Sequence, residues 1–262
     1  MKRLPLPIWL VLRTNLPKTI VFSFRMFPFQ VARKLPVVFM GKVNTSGSTG
    51  MITFTAPVHT GMLIVGEMSD ELCAYKRSSS MRFKVAGNLV VGDHVHIRGG
   101  GVFNIGAGGV MTVGADSLIN SYCRIWCMNK KTIGKNSRLS WDCQLFDSNF
   151  HYMVDDEDYT RNCHGQVSIG DSVLIGNRVT INKGTNLPNY TIVGSGSFVN
   201  RDFTEYGERC VVGGSPAKFI KSGYRRLFNY KKEAEVAKFF DENPSENKYF
   251  VGENFDEESY TS

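Results

Sequence analysis

Aliphatic residues recur along the middle of the chain at intervals that suit neither a helix nor a lone strand. From Val91 they fall at Ile97, Ile105, Val113, Ile119, Ile125, Ile133, Leu139 and Leu145. They resume at Ile169, Ile175, Ile181, Leu187, Val193 and Val199. The step is six residues, stretched in places to eight, and glycine or a small polar residue often follows, as in "IGKNSR", "IGDSVL" and "IGNRVT". A helix repeats about every 3.6 residues and a half-buried strand about every second residue. A step of six fits a solenoid in which each unit is one short flat face and a turn. Three units then close a triangular coil, with one aliphatic side chain per face pointing inward. Coils stacked ~4.8 Å apart satisfy their backbone along the axis and bury a continuous aliphatic column. Glycine suits the tight corners, and the longer units are absorbed as small bulges there. The pattern predicts a mainly β fold, a parallel β-helix.

The flanks follow other rules. In "TIVFSFRMFPFQVARKLPVVF", Ile20, Phe24, Phe27, Val31 and Leu35 recur at helical spacing with Arg25, Arg33 and Lys34 between them. Pro28 and Pro36 cut this stretch into short helices. Two readings stand together: the helices cap the solenoid, and their basic amphipathic face rests on an anionic membrane leaflet. Residues 50–90 are β-rich but out of step, and read as irregular opening coils. Near the other end, "KSGYRRLFNYKKEAEVAKFFDE" predicts a helix with Leu227, Tyr230, Ala234, Ala237 and Phe240 on one side, followed by a flexible acidic tail from about Pro244. The chain thus divides into a basic helical segment over 1–49, a β-helix over 50–222 and a helix with tail over 223–262.

Charge sharpens this division. The formal charge is +7, yet no acidic residue precedes Glu67, and the last ten residues carry Glu253, Asp256, Glu257 and Glu258. A basic balance without a basic stripe in a recognisable binding motif argues against a nucleic-acid partner. The six cysteines lack the close pairing of a zinc site, which points to reduced thiols and a cytoplasmic chain. No apolar run approaches the ~20 residues that span a bilayer.

The regular pattern breaks at "CQLFDSNFHYMVDD", Cys143 to Asp156. Leu145 and Ile169 are a multiple of six residues apart, so the chain leaves the solenoid, extrudes a polar loop over 151–166 and returns in register. Asp147 and His151 flank the departure point. A histidine in an extruded loop is suited to general-base work, since an imidazole of ordinary pKa, about 6.5, accepts and returns a proton near neutrality. A carboxylate on its other ring nitrogen would hold the tautomer. From the residues alone the alternatives remain open: a catalytic pair, or a polar corner beside an ordinary loop histidine.

The hexapeptides, together with "VVGGSPAKFI" (Val211 to Ile220), resemble the left-handed β-helix acyltransferases over residues 85–222. "WDCQLFDSNFHY" and "FRMFPFQVARKLPV" are similar to enzymes that O-acetylate bacterial capsular or lipopolysaccharide sugars. The resemblance implies a left-handed coil, acetyl-CoA as acyl donor, no metal, and a homotrimer with sites between subunits. It implies His151 as base and Asp147 as its orienter, with Asn120, Trp141, Asn149 and His164 toward the acceptor. For the coenzyme it implies a strip of small residues, Gly176, Gly194, Ser195 and Gly196, whose backbone amides face the thioester oxygen. It adds Lys183, Arg201 and Lys218 toward the phosphates, and the Ser215–Pro216–Ala217–Lys218 element. The expected reaction is acetyl transfer to a hydroxyl of a surface-polysaccharide sugar. Alternatives are N-acetylation of an amino-sugar nucleotide, a non-catalytic β-helix scaffold, and a γ-type carbonic anhydrase with His94, His96 and His151 around zinc.

Overall fold

A computed structural model describes residues 14–68 and 80–252. The acidic end expected beyond residue 252, Cys73 and the first thirteen residues lie outside the described part. Short strands assemble into three sheets of nine, seven and six strands, in which each strand up to the last coil pairs with the strand three places away in sequence. Leu118–Ile119, for example, pairs in parallel with Val95–Ile97 on one side and Arg138–Leu139 on the other. That every-third pairing is the signature of a parallel β-helix with three faces. The inward aliphatics expected from the six-residue step are all buried, each at 2 % exposure or less.

Strands alternate inward and outward, so a residue two places from an inward aliphatic also points inward. Corners are made by side chains in the left-handed backbone region. His94, Asp116, Asn136, Ser172, Tyr190 and Arg209, all at positive φ, occupy one corner in successive coils by the strand register. A different corner is lined by Gly50, Gly87 and Gly109, where side chains have no room. A Cβ on Gly50 would lie 1.9 Å from the Gly87 carbonyl, and one on Gly87 would lie 2.2 Å from that of Gly109.

The coil starts earlier than the sequence pattern indicates. Val37–Phe39 and Val43–Asn44 already belong to two of the sheets, and residues 51–54, 63–65 and 81–91 pair in the same register as the coils above. Their spacing is irregular because the connections between them vary in length, which hides the six-residue step.

Among the described residues two helices precede the coil, α1 (Leu16–Met26) and α2 (Phe29–Ala32). Asn15 caps α1 by accepting from the Lys18 amide, and Pro28 separates the two helices. α1 closes the open end of the solenoid. Its Phe22 is buried edge-on against Phe39 at 4.9 Å and near Phe83 at 6.2 Å, and Phe83 stacks on Phe103 at 5.3 Å. Its opposite side leaves Leu16, Ile20, Val21 and Phe24 exposed, with Phe29 of α2 beside them. At the other end the chain folds back as an antiparallel hairpin, Val211–Gly214 with Ala217–Lys221, before α3 (Tyr230–Glu242). The expected helix starts nine residues after Lys221, at the point where Asn229 caps it by accepting from the Lys232 amide. None of the residues of α3 is buried; Phe239 packs against Tyr249 at 4.8 Å and beside Phe240 at 5.4 Å, and Tyr230 on the expected stripe is exposed.

Candidate active site at the extruded loop

The break after Gln144–Phe146 becomes a short arm. Ser148 bridges His164 at its base and Val154 bridges Thr160 near its tip. The Asn149 amide donates to Cys163 O at 2.9 Å and the Gly165 amide to Asp147 O at 2.8 Å. At the tip the Asp155 carboxylate accepts from the amides of Glu157 and Tyr159. The chain then rejoins the solenoid at Gln166–Ile169, paired with Lys130–Ile133. The expected departure and in-register return are both present.

A cleft of ≈ 300 Å³ lies along the arm, bounded by Asn149, His151, Met153, Tyr159, Arg161 and Cys163 among others, with Lys183 on the solenoid side. His151 is exposed there, and no described residue hydrogen-bonds or ion-pairs with its ring. Arg161, Tyr159 and Met153 are lining residues that the sequence reading missed, since an arm without periodicity gives no signal for which of its side chains face inward. Beside the cleft, Trp126 packs edge-on against Phe150 at 5.8 Å, as does Phe146 at 5.9 Å. Trp126 is thus the tryptophan at the arm. Trp141 sits at a coil corner, where its carbonyl accepts from the Arg178 amide.

Asp147 does not orient His151. Leu145 points inward, so the alternation sends Asp147 inward too, and its side chain is 0 % exposed. One carboxylate oxygen accepts from the Met128 amide at 2.8 Å, the other from the Asn129 amide at 2.9 Å, and Lys131 Nζ lies 3.3 Å away. Lys131 is equally buried, on an inward position two residues before Ile133. Burial lowers the Lys131 pKa to about 8, against the partial compensation of Asp147. Burial, reinforced by the Asp147 charge, drives the nearby Cys127 thiol up to about 12. Asn129 continues the anchor, donating its side-chain amide to Gly165 O at 2.7 Å. The carboxylate thus fixes the foot of the arm, where the chain leaves and re-enters the coil.

The other expected site residues divide in the same manner. His164 stands at the foot of the arm, with Nδ1 buried and without a hydrogen-bond partner among the described residues. Lys183 Nζ donates to the carbonyls of Asn162 at 3.0 Å and Cys163 at 3.2 Å, so it ties down the arm rather than standing free for a phosphate. Arg201 pairs with Glu205 at 2.6 Å. The amides of Gly176, Gly194 and Gly196 are already donated to Val193, Val212 and Asn177, so none is available to a thioester oxygen. Ser195 donates its hydroxyl to Asn177 at 2.6 Å. Gly176 is required by the coil itself, since a Cβ there would lie 2.7 Å from the Ser195 amide. Ser215 and Pro216 form the tip of the C-terminal hairpin, Ala217 is buried, and Lys218 is exposed on the returning strand.

Asn120 belongs elsewhere. It accepts from Arg98 Nη1 at 3.3 Å, and Arg98 lines a second cleft of ≈ 350 Å³ together with Glu67, His94, His96, Asp116 and Arg138. His96 Nδ1 lies 3.1 Å from Glu67 there. His94 and His96 therefore border one cleft and His151 another, so the three histidines do not meet within one chain. At the edge of the second cleft, His59 Nε2 lies 2.7 Å from Asp93. Burial alone would raise the Asp93 carboxyl pKa, but the His59 hydrogen bond and the charge of His94 outweigh it and hold it below the usual range.

No family model and no curated protein matches the chain. Among solved structures it is similar to NeuO, a polysialic-acid-specific acetyltransferase, at 18 % identity over 78 % of this chain and 98 % of that one, with a TM-score of 0.47. It is similar to the polysialic acid O-acetyltransferase OatWY at 24 % identity over 78 % and 98 %, with a TM-score of 0.36. It is also similar to AntD, an N-acyltransferase from Bacillus cereus in complex with dTDP and 3-hydroxybutyryl-CoA, at 14 % identity over 84 % and 98 %, with a TM-score of 0.40.

Proposed function

We propose that the chain is an acetyl-CoA-dependent O-acetyltransferase acting on a hydroxyl of a bacterial surface-polysaccharide sugar or its precursor. The observation that carries this reading is His151: an exposed imidazole, bound to no described side chain, on the only described arm that interrupts a rigid β-helix, and facing a cleft with polar and aromatic walls. The hexapeptide pattern and the "GSPAK" element supply the coenzyme side of the argument.

In the reaction, a ring nitrogen of His151 takes the proton of the acceptor hydroxyl as that oxygen attacks the thioester carbon. The tetrahedral adduct collapses, the C–S bond breaks, and the CoA sulfur leaves with the proton returned by the imidazolium. No covalent enzyme intermediate forms. Asn149, Tyr159 and Arg161 line the acceptor side, and Lys218, exposed and unpaired among the described residues, is the cation for the CoA phosphates. The cleft is open and lies on a single chain. Pairing with a neighbour in a homotrimer would enclose it.

CoA release from acetyl-CoA and candidate glycans tests the assignment. His151→Ala should lower turnover by about 10²–10⁴-fold, with an unchanged melting temperature because the side chain makes no contact that holds the fold. Turnover equal to wild type would end the assignment. The exposed apolar residues of α1 and α2, bordered by Arg25, Arg33 and Lys34, would place the enzyme on an anionic membrane surface at its cytoplasmic side. Among the described residues no helix is long and apolar enough to cross a membrane.

A further inference from the structure

The corner of the second cleft brings together residues that the acyl-transfer reading does not use. His59 comes from the connection between Met51–Phe54 and Leu63–Val65. Asp93 and His94 form the corner before Val95–Ile97, and Asp116 is the same corner of the next coil. The left-handed backbone at His94 and Asp116 turns both side chains toward the same point, with His94 Nδ1 3.5 Å from Asp116 Oδ1 and 3.8 Å from Asp93 Oδ2.

The imidazole of His59 is the telling group. Its Nδ1 lies 3.0 Å from the Thr60 carbonyl and its Nε2 lies 2.7 Å from Asp93 Oδ1. A neutral imidazole has one N–H. Both ring nitrogens face acceptor oxygens, a mismatch for a ring with one N–H that a divalent ion bound to Nε2 and the carboxylate would relieve. The backbone already prepares the carboxylate, since the His94 amide donates to Asp93 Oδ1 at 2.9 Å. Donor atoms around a tetrahedral ion with bonds of ~2.0–2.2 Å stand about 3.4 Å apart. Asp93 Oδ2 and His94 Nδ1 stand 3.8 Å apart, near that value, whereas the 2.7 Å between His59 Nε2 and Asp93 Oδ1 is a hydrogen-bond contact that must widen when an ion is bound. Two imidazoles and a carboxylate favour zinc, cobalt, nickel or copper over magnesium or calcium.

We propose that His59, Asp93 and His94 form a binding site for a first-row divalent ion of the zinc type, with water completing its coordination. The ion pins the connection over 55–61 to the corner of the coil. It shares no residue with the cleft at His151 and takes no part in the transfer.

Untagged full-length protein, stripped with a chelator, is titrated with Zn²⁺ by calorimetry and with Co²⁺ by visible absorption. One equivalent should bind, with the absorption of tetrahedral cobalt and a higher melting temperature than the stripped protein. His59→Ala and Asp93→Asn should each weaken binding by at least about tenfold, whereas His96→Ala and His151→Ala should bind as wild type does. Asp93→Asn keeps the side-chain shape, so a stripped variant melting as wild type separates loss of a ligand from loss of fold. Absence of saturable binding, or binding retained in both His59→Ala and Asp93→Asn, would overturn the site.

Discussion

At the scale of single residues, Asp147 and His151 have exchanged the partnership expected of them for separate tasks. Asp147 is spent on two backbone amides and a buried lysine, while His151 stands in solvent. Removing the carboxylate with Asp147→Ala leaves Lys131 buried and uncompensated, a change worth roughly 3–5 kcal/mol, and frees the amides of Met128 and Asn129. Chemical denaturation should show that loss for Asp147→Ala and nearly none for His151→Ala. Lys131 adds a pH signature. Its folded pKa, about 8, lies below the ordinary 10.5 of an unfolded lysine. Between those values the unfolded chain binds more protons, so this residue's contribution to stability rises with pH across the window and is flat below about 8. Unfolding curves at pH 8 and 10 should show the rise in wild type and its absence in Lys131→Met. Equal slopes would place the charge of Lys131 elsewhere. The inward direction of Asp147 was legible, because it stands two residues after an inward leucine. Four-residue spacing to a histidine outweighed that signal, although strand alternation governs direction right up to the point where the strand ends. The contacts of Lys131 were less accessible, since the residue opposite an inward lysine depends on which coil lies above it.

At the scale of elements, the six-residue step predicted the inward column because spacing on a three-sided coil fixes direction. It did not predict the first coils, whose connections differ in length, nor the walls of the arm, which has no repeat at all. His59 lies in one of those irregular connections, so its approach to Asp93 arises only from the stacking of coils. The corners carry a signal of their own. Gly87 has its neighbours' carbonyl oxygens where a Cβ would go, at 2.2 and 2.4 Å, whereas Gly108 has nothing nearer than 3.8 Å. Both are glycines in one stretch of sequence, and only one is there for room. Gly87→Ala must push two coils apart and should cost about 1–3 kcal/mol, as overpacking does, while Gly108→Ala should melt within a degree or two of wild type. Equal losses would mean that backbone freedom rather than close approach decides these positions.

At the scale of the whole molecule, a solenoid has two ends, and an open end presents unpaired strand edges that recruit other chains. α1 covers the first end with one face and leaves an apolar, cation-bordered surface on the other, so capping and surface binding belong to opposite sides of one helix. Deleting residues 1–42 would confound the two, because Val37–Phe39 is the first strand of the coil. Point substitutions separate them. Phe22→Ala empties a fully buried aromatic site against Phe39 and Phe83 and should cost about 3–5 kcal/mol, with self-association as the uncovered edge becomes accessible. Its effect on vesicles should follow from lost folding alone. Substituting Val21, Phe24 and Phe29 together by serine leaves the cap intact, and thermal melting should barely change. If the outer face rests on lipid, that triple variant should no longer sediment with vesicles containing anionic phospholipid, and wild type should be released from them by salt, as expected for charge-assisted binding screened over about 10 Å. Sedimentation unchanged by the three serines would assign the outer face to something other than a bilayer and leave α1 as a cap only.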